Sequence, residues 1–199
     1  AALYKAIKEQ HIAYCTPPSS FGDAGQRVRL SDNVLSGKLG TCLDLSLLYA
    51  SCAEAMGLHP LLVIIQGHAF VGCWLIDGTF PDAVNDDPSL LTKRTADGIN
   101  EVILLEATCM TDGNNVTFDT AVGLANDKML AVNDFTCFID VARSRFAHIL
   151  PLPQRVMHGK PWTVGPEVAQ IPKSGLYISP VSAPEEIKQY DLYNQDSYV

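Results

Sequence analysis

The sequence has no apolar run of the roughly 18 to 20 residues that a membrane helix needs, so no membrane span is expected. Basic charge is also in short supply. With 14 Lys and Arg against 22 Asp and Glu the net charge is −8, which argues against a dominant phosphate-binding face and against direct nucleic-acid binding by this domain. No Cys-x-x-Cys pair occurs, because the six cysteines (Cys15, Cys42, Cys52, Cys73, Cys109, Cys137) are spread singly. A chain of 199 residues with 47% hydrophobic content buries a core without staples, so disulfides are not expected and a reducing, cytoplasmic setting fits. A zinc site through Cys42, His68 and Cys109 would lack closely spaced ligand pairs, so neither metal nor cofactor is expected. No internal repeat is found.

What the chain does have lies between Gly40 and Leu75. In Thr41-Cys42-Leu43-Asp44 the threonine hydroxyl can cap a helix while Asp44 reaches back to the cap's own N–H. From Cys42 to Met56 the residues are apolar on nearly every side, which describes a helix surrounded by protein, and Gly57 stands where a helix ends. Cys42 then lies in the first turn, where unpaired N–H groups and the positive end of the helix dipole favour a thiolate. The competing interpretation is a cysteine that merely fills space, since cysteine is often buried.

Leu61 to Ile65 reads as a strand, Gln66-Gly67 as a two-residue hairpin turn, and His68 to Ile76 as the returning strand. Alternation puts His68, Phe70, Gly72 and Trp74 on one face. His68 opens the strand, where its ring can overhang the end of a helix packed on the sheet. Further on, Glu106 is the lone charge in the apolar segment from Val102 to Met110. A carboxylate there is costly without a partner, and a histidine N–H on the adjacent strand would serve. Nucleophile, base and orienting acid would then be Cys42, His68 and Glu106. Pairing of Glu106 with Arg143 or Arg145 is the structural alternative. Asp77, in an Asp-Gly turn, and Asp82, in a proline-rich bend, are alternative orienting acids.

Gly40 to Leu45, Gly57 to Val63 and Gly67 to Val71 together resemble the transglutaminase-like branch of the papain-like cysteine enzymes. In that family a cysteine at a helix N-terminus, a histidine opening one strand and an aspartate on the next form the triad. Glu106-Ala107-Thr108 is similar to the family's Asp-Pro-Thr motif, with Glu in place of Asp and Ala in place of Pro. More narrowly, residues 20 to 155 resemble the domain near the start of large bacterial proteins that carry helicase-type modules further on. The resemblance implies an α/β (α+β) papain-like fold with a central cysteine-bearing helix packed on an antiparallel sheet. It also implies a polypeptide substrate, thioester chemistry, most of all proteolysis, and further domains in a larger parent. Deamidation or transglutamination of the same carboxamide class is the alternative, and a non-catalytic interaction module retaining the fold is the rival from a different class. By analogy with the amide of papain-like enzymes, Gln26 is a candidate oxyanion donor beside the Cys42 backbone N–H. Thr41 and Trp74 join it as candidates for substrate contact.

The remaining organisation is read more coarsely. A helix is expected over residues 3 to 14, and a loop from Cys15 to Gly25. Asp87-Pro88 should start a helix through Ala96, inside a long connection (Asp77 to Asn100) that is a candidate lid. Thr117 should cap a helix to about Leu130, and Phe135 to Val141 should be a strand. Seven of the twelve prolines fall between Pro151 and Pro184. Residues 1–150 are therefore expected to form the catalytic domain and 151–199 an extension or linker, whose acidic end from Pro184 could occupy a cleft.

Overall fold

The capping signal at Thr41 organises the molecule. In the computed structural model, which describes residues 1–16, 25–130, 134–152, 155–157 and 162–164, the Thr41 hydroxyl accepts from the Asp44 N–H at 3.2 Å and Asp44 accepts from the Thr41 N–H at 3.0 Å. This reciprocal box starts a 14-residue helix, Cys42–Ala55, and Gly57 leaves it with φ +75°. Before it come α1 (Ala2–Lys8), β1 (Ala13–Tyr14), α2 (Ser31–Gly37) and β2 (Leu39–Gly40), which makes the cysteine helix α3. The expected helix over residues 3 to 14 is corrected. It stops at Lys8, His11 turns with φ +54°, and β1 runs parallel to β2 with Tyr14 opposite Gly40.

The long hairpin forms as expected. β3 (Pro60–Ile65) and β4 (His68–Trp74) pair antiparallel from Pro60 opposite Cys73 to Ile65 opposite His68, and Gly67 turns with φ +71°. Beyond it lie β5 (Val84–Asn85), α4 (Ser89–Thr95), β6 (Val102–Leu105), a 3-10 turn (Ala107–Met110), α5 (Phe118–Leu130), β7 (Phe135–Asp140) and α6 (Val141–Phe146). The central sheet is antiparallel throughout, in the order β5-β7-β3-β4-β6. Thus a mixed α/β architecture with the cysteine helix against an antiparallel sheet is realised. Gly72 lets β4 sit tightly there, since a Cβ would stand 2.9 Å from Leu104 Cδ2.

Apolar side chains on the two sides of the sheet form two cores. Leu45 and Leu48 of α3 pack with Leu62, Val71 and Leu105. On the opposite side Phe70, Trp74, Phe80, Leu91, Leu104 and Phe138 pack together. The connection considered as a lid contributes Phe80 and Leu91, both fully buried, so this part of it is core structure. Asp140 ties it down, accepting from Phe80 N–H at 2.8 Å, the Thr79 hydroxyl at 2.9 Å and Trp74 Nε1 at 3.2 Å. The Asp140 side chain also caps α6 through the Arg143 N–H at 2.9 Å. A short hairpin, β8 (Arg155–Met157) with β9 (Trp162–Val164), follows. The rest of the proline-rich extension from 153 onward, with its acidic end, lies outside the described residues. Among the described residues no helix is long and apolar enough to cross a membrane.

Candidate active site

Cys42, His68 and Glu106 arrive from three elements and meet at one end of the sheet. The cap places Cys42 as the first residue of α3. Two bonds of the Ser46 hydroxyl, to Cys42 C=O at 2.8 Å and to Ala69 C=O at 3.3 Å, lock that turn onto the start of β4. His68 begins β4, and the register of Val71 opposite Leu105 carries Glu106 just past the end of β6, on the same pleat face as His68. Glu106 Oε2 accepts from His68 Nε2 at 2.7 Å. Its other oxygen accepts from the Thr108 N–H at 3.1 Å and the Thr108 hydroxyl at 2.7 Å. With Nε2 engaged by Glu106, Nδ1 is the ring nitrogen left for Cys42, and the ring and the thiol interact closely enough to shift each other's pKa, so the three side chains form one electrostatic series.

The charges reinforce one another. Burial works to raise the Cys42 pKa, but the His68 ring and the Ala69 and Leu43 backbone N–H groups outweigh it and hold the thiol below its ordinary value. Burial likewise disfavours a charged His68, yet the Cys42 and Glu106 bonds prevail and lift its pKa to about 9. For Glu106, the bonds from His68 and Thr108 overcome burial and push its pKa down. The arrangement therefore shifts the balance toward a thiolate beside an imidazolium, with a carboxylate behind it. No family model, curated protein or solved structure matches the chain.

Of the other expected site residues, Gln26 is brought close: its Nε2 donates to the Thr41 hydroxyl at 3.1 Å, one residue from the nucleophile. Thr41 itself is buried, and its hydroxyl is engaged as the cap, which corrects its assignment as a substrate contact. Trp74 is also corrected to a core residue. It sits six positions along β4 from His68, about 20 Å at strand rise, and its ring packs at a 47° tilt against Phe80, with centroids 4.8 Å apart. Asp77 and Asp82 are exposed beyond that far end of β4, away from His68, whose ring pairs with Glu106 instead. Arg145 pairs with Glu54 at 2.7 Å and leaves Glu106 to His68.

Sequence reasoning missed four participants. Tyr14, paired opposite Gly40, lies near Cys42: burial first and then the Cys42 thiolate raise its pKa. Arg29 holds the cap, with its N–H at 2.8 Å and Nη1 at 2.9 Å from the Asp44 carboxylate. Ser46 locks the helix to the sheet, and Lys128 of α5 lies 3.6 Å from Glu106 Oε2. Only Ser46 carried a local signal, a polar residue four positions into an apolar helix. The others depend on long-range pairing.

Proposed function

We propose that the chain is a cysteine-dependent acyl-transfer enzyme acting on a protein or peptide carboxamide, foremost as a protease. The observation that supports it is the convergence of Cys42 at the capped start of α3 with His68, which lowers the Cys42 pKa and is itself hydrogen-bonded to Glu106. The residue-level resemblance to transglutaminase-like cysteine enzymes points the same way, and with it come a polypeptide substrate, a reducing cytoplasmic setting and further domains in a parent protein.

In this reading the Cys42 thiolate adds to the carbonyl carbon, forming the S–C bond as the carbonyl electron pair moves onto oxygen. The Cys42 backbone N–H, at the unpaired start of α3, faces that developing charge. His68 gives its Nδ1 proton to the nitrogen as the C–N bond breaks, which leaves a thioester. Neutral His68 then takes a proton from the second nucleophile. Water gives hydrolysis or deamidation, and an amine gives transglutamination. Glu106 keeps the ring oriented and its positive charge stabilised throughout.

Cys42→Ala is expected to abolish both labelling by an electrophilic peptide probe and peptide cleavage. Persistence of either would sink the assignment. The second reading, a non-catalytic interaction module, draws on the low exposure of Cys42, only 4%. Iodoacetamide alkylation separates the two: an activated thiolate reacts well below pH 8, whereas an inert buried thiol hardly reacts.

A further inference from the structure

Strand β2 (Leu39–Gly40) leads into the nucleophile, and only one of its edges is used. Ala13 N–H bonds Lys38 C=O at 2.8 Å and Cys15 N–H bonds Gly40 C=O at 2.9 Å, so both carbonyls turn toward β1. Backbone groups alternate in direction along a strand, which aims the Leu39 N–H and C=O to the opposite side. Among the described residues neither group has a hydrogen-bond partner, and no third strand joins the pair. The Leu39 side chain is 37% exposed. On the segment whose Gln26 and Arg29 bond the cap, Val28 and Leu30 are each 44% exposed. The chain around the start of α3 thus offers an open strand edge and apolar side chains in water, and an open edge is a template for pairing with another chain.

We propose that the free edge of β2 is a substrate subsite, on which an extended stretch of the substrate polypeptide pairs with Leu39 and sets an apolar side chain against it. One substrate N–H donates to the Leu39 C=O, and one substrate C=O accepts from the Leu39 N–H. This deepens the acyl-transfer reading and rests on Cys42 being the nucleophile. Three residues span at most about 10 Å, so a peptide paired at Leu39 reaches the sulfur with an amide two or three residues along its own chain. Any chain lying on this edge arrives beside Cys42, which makes the occupant the substrate itself. The main-chain bonds hold the peptide without reading its sequence, and choice among peptides falls to the side chain next to Leu39.

The probe is an acetylated heptapeptide amide with dehydroalanine at its centre and three alanines on each side. A thiolate adds to the dehydroalanine β-carbon while the α-carbon takes a proton, and labelling of Cys42 is followed by mass spectrometry. Each flanking amide is N-methylated in turn, and each alanine is replaced by leucine or by glutamate. N-methylation at one of these positions is expected to slow labelling at least about tenfold, and leucine beside it to outpace glutamate by about tenfold. In Leu39→Glu the leucine preference is expected to vanish, while iodoacetamide alkylates Cys42 at the wild-type rate. The subsite is overturned if no N-methylation slows labelling by more than about threefold, or if Leu39→Glu keeps the preference. Wild-type protein that reacts with iodoacetamide but with none of the peptides overturns it too and leaves the nucleophile standing, whereas protein that reacts with neither loses both. Circular dichroism checks that the variant is folded, which this partly exposed position favours.

Discussion

Lys128 and His68 converge on a single oxygen, Glu106 Oε2, at 3.6 Å and 2.7 Å. The carboxylate thus serves the imidazolium and an ammonium together, and the ammonium weakens the negative potential felt by the ring. Lys128→Met is expected to raise the His68 pKa further above its ordinary value and to move the basic limb of the kcat/KM profile to higher pH. Stability should change by less than about 1 kcal/mol, because the ammonium is partly solvated. A pH–rate profile and a urea midpoint for the variant check both expectations; a basic limb that moves down or stays put contradicts the coupling.

Glu106→Gln keeps the shape of the side chain and removes its charge. The His68 pKa is expected to fall from about 9 back toward its ordinary range, and the pH midpoint for Cys42 alkylation to rise. By comparison with loss of the orienting acid in serine enzymes, kcat should drop by about 100-fold or more. Alkylation kinetics across pH and steady-state cleavage assays measure the two effects separately.

The same pair links folding to pH. Because the His68 pKa is raised from 6.5 to about 9, its contribution to stability is complete below about 6.5 and is lost as pH rises through about 9. Glu106, whose pKa is lowered from 4.5, contributes fully above about 4.5, and that contribution is lost as the medium turns more acidic. The melting temperature is expected to decline on both sides of the interval between them. In His68→Asn the decline on the alkaline side should be shallower than in wild type, which thermal melts between pH 6 and 10 would reveal.

Asp44 is fully buried and accepts from Arg29 twice and from the Thr41 N–H. Removing it uncaps α3 and leaves buried donors unpaired. Asp44→Ala is expected to cost about 2 to 4 kcal/mol in urea unfolding and to lower kcat in the protein that remains folded, because the start of the helix positions the sulfur.

Asp140 supplies the contrast. Asp140→Asn should also cost about 2 to 4 kcal/mol, since one oxygen accepts from Trp74, Thr79 and Phe80 and the other from the Arg143 N–H, so the NH2 of an amide would face a donor in either orientation. It lies at the far end of the sheet from His68. Activity per folded molecule should therefore stay within about threefold of wild type at temperatures where the variant is native, when rates are normalised to the folded fraction.

What could be read from the residues alone was whatever obeyed a local rule. The Thr41–Asp44 box, the Gly57 stop and the two-residue turn at Gln66-Gly67 act within a few positions, and each formed. Glu106 was legible for a different reason: a charge inside an apolar strand demands a partner, and β4 was its neighbour. The helix at Ser31–Gly37 and the short α6 after Asp140 lacked comparable periodic patterns. Tyr14 was hidden because its place near Cys42 depends on a two-residue parallel pairing with Leu39–Gly40 that no propensity encodes. Asp140 was hidden within an apparently ordinary strand, because all partners of its carboxylate except Arg143 lie 60 or more positions away.

The register that sets Glu106 beside His68 also has a consequence for synthesis. A nascent chain that has emerged only as far as β4 carries Cys42 and His68 but not the carboxylate that stabilises the imidazolium, nor the α5 segment that packs behind it. Until about residue 130 has been made, neither Glu106 nor Lys128 is present beside His68, and the cluster of charges is incomplete. The charged cluster at the start of α3 is thus completed only late in chain growth, by segments that follow the cysteine by some 60 to 90 residues.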